Sequence, residues 1–349
     1  MPMDSVPEAD SIDFGGFTPP PGLGHRHVQS ILTGSPLRSR LVRGRAEALL
    51  RASRKVLLEC GDGVRLMGFM SARPPSAKGL VILLHGWEGC ADSSYVLSVG
   101  ATLYERGFAV FRLNFRDHGA THALNEEFFH SCRIAEVVNA VKVIQERHCA
   151  ARTVLVGYSL GGNFALRVAA RANAAGIDLE RAVAVCPVLR PKSTMRALED
   201  GLWVYRHYFL RRWRRSLAAK VESFPQLYDF GDLRRLRTLT ATTEFLVTRY
   251  ADFPDLDTYL EGYAITGDAL AGLSVPVRII AAEDDPVIPF RDLAHVAPSP
   301  ALSVSVLRRG GHCGFIAGYG LGCWLDETIA NMLEAPPVSR ASLGPDPLG

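Results

Sequence analysis

The sequence predicts an α/β protein, a mostly parallel central sheet with helices on both faces. Three observations carry that reading. Short, continuous apolar runs recur along the chain, as strands buried on both faces do. Stretches with apolar residues at helical spacing lie between them. Ahead of the first buried run, two strand-like segments flank Gly61-Asp62-Gly63, a turn signal that reads as a hairpin.

The elements follow in order. Residues 1–24 are rich in Pro and Gly, and the N-terminal segment (residues 1–50) reads as extended and packing on the core. The hairpin strands are residues 55–60 and 64–70. The buried strands are 81–84, 108–113, 154–156, 182–185 and 277–281. Ile134, Val137, Val138, Val141 and Ile144 form one helical stripe. Ala165, Leu166, Val168 and Ala169 form a weaker one. Leu302, Val304 and Val306 alternate with Ser303 and Ser305, as on a strand with one polar face. A hairpin followed by alternating strands and helices implies parallel pairing with crossovers. Residues 187–273 break the rhythm, are rich in Arg and aromatics, and read as a helical insertion into a domain spanning 51–334. The tail, 335–349, carries four prolines and reads as flexible.

Bulk properties exclude several classes. Of 349 residues 48% are apolar, enough for a substantial core. The 39 basic and 36 acidic residues leave a formal charge of +3, too small an excess to argue for nucleic-acid binding. Seven cysteines, an odd number with no CxxC pair, argue against a disulfide framework or zinc site. No cofactor or metal is expected. The acidic start lacks the basic-then-apolar order of a signal peptide, and no apolar run reaches about 18 residues. The expectation is a cytosolic protein.

The chemistry concentrates in four segments. Val154-Leu155-Val156-Gly157-Tyr158-Ser159-Leu160-Gly161-Gly162 is a strand running into G-x-S-x-G and a helix. A nucleophilic serine needs that tight turn to project its hydroxyl, and flanking glycines let strand and helix pack closely. Leu84-His85-Gly86-Trp87-Glu88-Gly89 follows the first deeply buried strand. Its loop supplies one oxyanion N–H and the residue after the serine the other, which assigns the donors to Trp87 and Leu160. His85 reads as a supporting histidine, because a better base lies downstream. In Glu283-Asp284-Asp285-Pro286-Val287-Ile288-Pro289, Asp285 is the preferred acid, Asp284 the runner-up, and Glu283 a solvent-facing residue. His312, on the Gly-rich loop Arg309-Gly310-Gly311-His312-Cys313-Gly314-Phe315, is the base.

Together these segments resemble the YheT-like group of α/β-hydrolases, which includes the plant embryogenesis-associated proteins and the ABHD lipid hydrolases of that branch. The resemblance covers most of the chain. It extends to Pro19-Pro20-Pro21 leading into His27-Val28-Gln29-Ser30-Ile31, to Asn114-Phe115-Arg116, and to Gly157–Asn163 read as G-Y-S-L-G-G-N. It implies the α/β-hydrolase fold with a helical lid insertion, a Ser159, Asp285 and His312 triad, and hydrolysis of carboxylic esters, short- to medium-chain or lipid-like. Asp117-His118-Gly119 departs from the group's usual turn after N-F-R, and residues 228–263 keep only part of its pattern. Both departures bear on substrate rather than reaction.

The insertion's aromatics, notably Trp203, Phe209 and Trp213, are the expected substrate-binding surface. The Arg-rich stretch 205–215 reads as a lid helix with a solvated basic face, with an interfacial helix at anionic lipid as the alternative. His118, His122 and His130 read as loop residues, since no spacing places two with a carboxylate on one helix. Two other functions stay open: an acyltransferase using the same acyl-enzyme, and a silent binding protein on the same scaffold. A small-molecule acyl ester is the expected partner.

Overall fold

The computed structural model describes residues 16–73, 77–149 and 152–335. Eight strands form one sheet: β1 Ser53–Glu59, β2 Arg65–Ser71, β3 Leu80–Leu84, β4 Ala109–Asn114, β5 Thr153–Tyr158, β6 Arg181–Val185, β7 Val277–Ala282 and β8 Leu302–Leu307. Their order is β1-β2-β4-β3-β5-β6-β7-β8. β2 runs antiparallel to β1 and β4, and every later pairing is parallel. The hairpin and all the expected strands are present, with ends shifted by a few residues.

The parallel strands are buried on both faces, so alternate residues feed two cores. Ile82, Leu84, Leu155, Ala182 and Ile279 join α5 (Ile134–His148) and α6 (Leu160–Ala169) on one side. Val81, Leu83, Val154, Val183 and Ile280 join α3 (Glu47–Ala52), α4 (Ser94–Glu105) and α12 (Trp324–Glu334) on the other. The short α7 (Ala172–Ala175) links α6 to β6. Between β6 and β7 lie α8 (Pro191–Asp200), α9 (Trp203–Ser223), α10 (Leu239–Tyr250), α11 (Leu256–Glu261) and one 3₁₀ turn. That excursion is helical, as the sequence predicts for residues 187–273. Among the described residues no helix is long and apolar enough to cross a membrane.

The N-terminal segment requires a correction. Residues 1–15 lie outside the described residues, as does the tail from residue 336. Residues 26–52, expected to be extended, form α1 (Arg26–Thr33), α2 (Pro36–Arg45) and α3. The start signals are present but easily read as loop. Ser35 accepts from the Arg38 N–H, and Pro36 takes the first helical position. Only Arg38 and Val42 of α2 are buried, so its apolar stripe is too thin to detect. Arg38 has no exposed surface. Its Nε donates to the Leu321 carbonyl at 3.1 Å and its Nη1 to Thr33 at 3.1 Å, tying the segment to the far end of the chain.

Arg38→Ala leaves the buried Leu321 carbonyl without its donor, takes one of two donors from the Thr33 carbonyl, and opens a void. It should lower the unfolding free energy by about 2–4 kcal/mol in urea titration. A loss below about 0.5 kcal/mol would mean that the N-terminal helices are not anchored through this side chain.

Candidate active site

Ser159 sits between the last residue of β5 and the first of α6, with φ 54° and ψ −118°. A left-handed φ is costly for a residue with a Cβ, and the surroundings enforce it. The Ser159 N–H donates to the Val185 carbonyl at 2.8 Å. A Cβ on Gly161 would lie 2.4 Å from the Leu84 and His85 carbonyl oxygens, and one on Gly157 would lie 2.1 Å from the Gly161 oxygen. The two glycines therefore let α6 press against the end of β3.

His312 Nε2 lies 3.0 Å from Ser159 Oγ, and His312 Nδ1 lies 2.8 Å from Asp285 Oδ2. Asp285 is fixed in turn. Its Oδ1 accepts from the Val287 and Ile288 N–H groups at 2.8 and 2.9 Å. Asp284, the runner-up, makes a different bond: its Oδ1 accepts from the Gly311 N–H at 2.9 Å. It holds the histidine's loop rather than its ring. Glu283 is exposed. Burial alone would depress the proton affinity of His312; the Asp285 carboxylate outweighs it and raises the pKa to about 9. Cys186 and Cys313 place their sulfurs near the ring, within 4.8 Å. Both ring nitrogens are already engaged, however, so the trio does not offer an open ligand set.

The loop that carries His312 is held by α1, a role that local sequence features do not reveal. The His312 N–H donates to Ser30 Oγ at 2.8 Å, and Ser30 Oγ donates to the Arg26 carbonyl at 2.8 Å. Fully buried Gln29 accepts from the Ile316 N–H at 2.7 Å and donates to the Leu23 carbonyl at 2.7 Å. The signal in the sequence is the H-x-Q-S segment itself, which carries a resemblance but no mechanical role.

The loop after β3 is pinned at alternate amides. The Gly86 N–H donates to Tyr95 Oη at 2.9 Å, and the Glu88 N–H to His118 Nε2 at 3.2 Å. Between them, the Trp87 N–H has no acceptor among the described residues, and neither does the Leu160 N–H. His85 is fully buried, with Nδ1 2.7 Å from the Gly86 carbonyl and Nε2 accepting from the Phe115 N–H at 3.2 Å. Both its nitrogens face backbone, which makes it a structural histidine. Burial also raises the carboxyl of Glu88 to about 7, against the pull of Arg212.

Two cavities meet at Trp87. One, of about 360 Å³, is open and lined by Ser159, His312, Phe209 and Arg212. The other, of about 100 Å³, lies under the helical excursion and is lined by Leu160, Trp213 and His130. Trp87 borders both. Its ring stacks on Phe209 at 5.1 Å and meets Trp213 edge-on at 5.1 Å. Phe209 and Trp213 thus reach the site. Trp203 does not: it is 64% exposed and borders neither cavity, because it lies on the face of α9 turned away from its neighbours Val204 and Tyr205, which line the larger cavity.

The sheet order, the strained serine turn and the histidine on the last loop define an α/β-hydrolase. The chain belongs to the alpha/beta hydrolase family, whose model matches residues 81–318. Within it the chain falls in the YheT-like branch. It is 26% identical over 344 residues to the putative esterase YheT of Escherichia coli (strain K12), covering 95% of this chain and 97% of that one. It is 24% identical over 336 residues to the embryogenesis-associated protein EMB8 of Picea glauca, covering 90% and 71%. Among solved structures, 2,6-dihydroxy-pseudo-oxynicotine hydrolase superposes with a TM-score of 0.56 at 16% identity, over 86% of this chain and 74% of that one, a likeness of fold.

The electrostatics can be tested without substrate. The His312 ring should titrate near pH 9 by NMR. In Asp285→Asn its midpoint should fall to or below the ordinary 6.5, because burial then acts unopposed. An unchanged midpoint would mean that Asp285 does not set the charge of the ring.

Proposed function

We propose that the protein is a serine hydrolase that cleaves carboxylic esters through an acyl-enzyme on Ser159. The observation that carries this reading is His312 bridging Ser159 Oγ and Asp285 Oδ2 at 3.0 and 2.8 Å. Neutral His312 takes the hydroxyl proton at Nε2 as Oγ attacks the ester carbon, while Nδ1–H stays on Asp285. The carbonyl oxygen becomes an oxyanion facing the N–H groups of Trp87 and Leu160, amides without an acceptor among the described residues. His312 then gives its proton to the alcohol oxygen, and the C–O bond breaks. Water attacks the acyl-enzyme with its proton passing to His312, and that proton returns to Ser159 as the acid leaves.

The same proton path orients the substrate. The leaving oxygen must meet His312, which lines the open cavity. The alcohol half therefore occupies that side, and the acyl chain points past Trp87 and Leu160 into the smaller cavity. A cavity of about 150 Å³ accommodates benzene, so one of about 100 Å³ holds on the order of four or five heavy atoms. This favours the short end of the acyl range.

A fluorophosphonate probe should label one serine, and Ser159→Ala should abolish the label; persistent labelling would sink the assignment. The value of kcat/KM for p-nitrophenyl butanoate should climb with pH as His312 loses its proton and level off only above about 9. A plateau from pH 7 upward would contradict a base held up by Asp285.

The two adjacent aspartates should separate sharply. Asp285→Asn removes the charge that orients His312 and should cost on the order of 10³-fold or more in kcat. Asp284→Asn weakens one bond to the loop and should cost roughly 10-fold. The reverse ranking would overturn the assignment of the acid.

A further inference from the structure

The open cavity holds one permanently charged side chain whose donors are largely unspent. α9 carries five arginines, and four of them, Arg206, Arg211, Arg214 and Arg215, border neither cavity. Arg212 lines the open one, in company with Ser159 and His312. It is half-buried, so solvent and cavity contents can both reach it. Its guanidinium is placed by Tyr208, one turn earlier and on the same cavity wall. Nη1 donates to Tyr208 Oη at 3.2 Å, and Cζ lies 5.6 Å from the ring centre. A guanidinium has five N–H donors. Among the described residues the bond to Tyr208 is the only one Arg212 makes, and it forms no ion pair. Other polar side chains of the wall are engaged within the protein. Ser93 Oγ accepts from the Cys90 N–H at 2.9 Å, Tyr95 Oη from the Gly86 N–H at 2.9 Å, and Ser35 Oγ donates to the Leu32 carbonyl at 2.9 Å. Glu88 supplies the one carboxyl among the lining residues, and it does not pair with Arg212. Burial raises that carboxyl to about 7, so it balances the arginine only in part at neutral pH.

We propose that the alcohol half of the ester bears an oxyanion, a carboxylate or a phosphate, which Arg212 binds. The inference rests on the acyl-enzyme reading above and adds the chemical class of the leaving group. The proton path decides which half of the substrate meets the arginine. The leaving oxygen takes its proton from His312, so the alcohol half lies in the cavity that His312 and Arg212 share. That cavity has more than three times the volume of the smaller one, which leaves room for a substituted alcohol. The chemistry of the guanidinium selects the substituent. It stays charged at any working pH, and its planar fork of N–H groups matches two oxygens of one anion. A cationic alcohol would meet like charge. A plain alkyl alcohol would leave the donors to water. Because Arg212 is half-exposed, solvent screens the attraction, and the preference is modest rather than absolute.

The test holds the acyl group constant and varies the alcohol. Pentyl butanoate, 4-(butanoyloxy)butanoate, 2-(butanoyloxy)ethyl phosphate and butanoylcholine are hydrolysed by the purified full chain in a pH-stat at neutral pH. At least one anionic ester should exceed pentyl butanoate in kcat/KM by roughly 10-fold, and butanoylcholine should fall below it. The carboxylate and phosphate arms decide between the two oxyanions. Comparing the same ratios between wild type and variants cancels the intrinsic reactivity of each ester. Arg212→Gln should lose most of the anionic preference, and Arg212→Lys, which keeps the charge but not the fork, should retain part of it. Arg212→Glu should reverse the order and favour butanoylcholine, a result that a merely structural arginine would not give. Fluorophosphonate labelling of Ser159 reports whether each variant is folded, and the wild-type ratios decide the matter alone if none is. Wild-type ratios that favour pentyl butanoate or butanoylcholine would overturn the proposal, as would an anionic preference that survives in folded Arg212→Gln. Labelling of Ser159 without hydrolysis of any of the four esters would overturn it too. Neither labelling nor hydrolysis would instead remove the acyl-enzyme reading on which it depends.

Discussion

The close crossing of α6 over the end of β3 is the constraint on which the rest of the site depends. It brings Gly161 against the Leu84 and His85 carbonyls, a contact that leaves no room for a Cβ. Because β5 and α6 meet at that distance, the chain between them must turn within one residue, and Ser159 takes a left-handed φ. That turn aims the hydroxyl outward and leaves the Leu160 N–H at the start of a helix, where no acceptor within the helix can reach it. The loop after β3 runs past the same point, so a Cβ on Gly86 would lie 3.2 Å from the Ser159 Cβ. Candidate nucleophile and candidate oxyanion donors are thus two consequences of one packing contact.

The remaining parts are held by polar ties that cross between elements. His118 accepts the Glu88 N–H with one nitrogen, and its other nitrogen lies 2.6 Å from the Arg116 carbonyl. Its neighbour Asp117 accepts from the Phe129 N–H at 2.7 Å and pairs with buried Lys220 of α9 at 3.0 Å. The turn Asp117-His118-Gly119 therefore couples the candidate oxyanion loop to the helix that carries Phe209 and Trp213. On the far side, Ser30 and Gln29 of α1 clamp the histidine loop. Both clamps act on backbone amides, which fix a loop more rigidly than exposed side-chain pairs do.

The sheet was legible in the sequence because its strands are buried on both faces, and a short unbroken apolar run bounded by turn residues fits a strand with no solvent face. The serine turn was legible because strand, glycines and helix occur in the order that the turn requires. Asp285 could be preferred over Asp284 because a carboxylate just before a turn can accept the amides that follow, as it does from Val287 and Ile288. The N-terminal helices escaped because α2 buries an arginine and a valine rather than a stripe. The bond from His312 to Ser30 spans 282 positions, and no local pattern encodes a partner at that distance. Trp203 misled because aromatic content shows that a helix has a contact surface, not which of its residues face the cavity: Val204 and Tyr205 of the same turn do, and Trp203 does not.

Four histidines around the site show how partners rather than residue type assign chemistry. His85, His118 and His130 all lie in surroundings that desolvate the ring, and all three are held well below the ordinary imidazole range. His85 and His118 spend both nitrogens on backbone, so neutrality makes them fixed struts. His130 is also held neutral, but its Nδ1 has no partner among the described residues. His312 is as deeply placed, yet a single carboxylate at 2.8 Å reverses the sign of its shift. Burial penalises the charged form of all four rings, and the carboxylate raises the proton affinity of one of them, the property that the proposed base requires. The same reasoning explains why Asp285 needs two backbone amides of its own. A carboxylate that must stay charged in a buried site has to be stabilised before it can stabilise anything else.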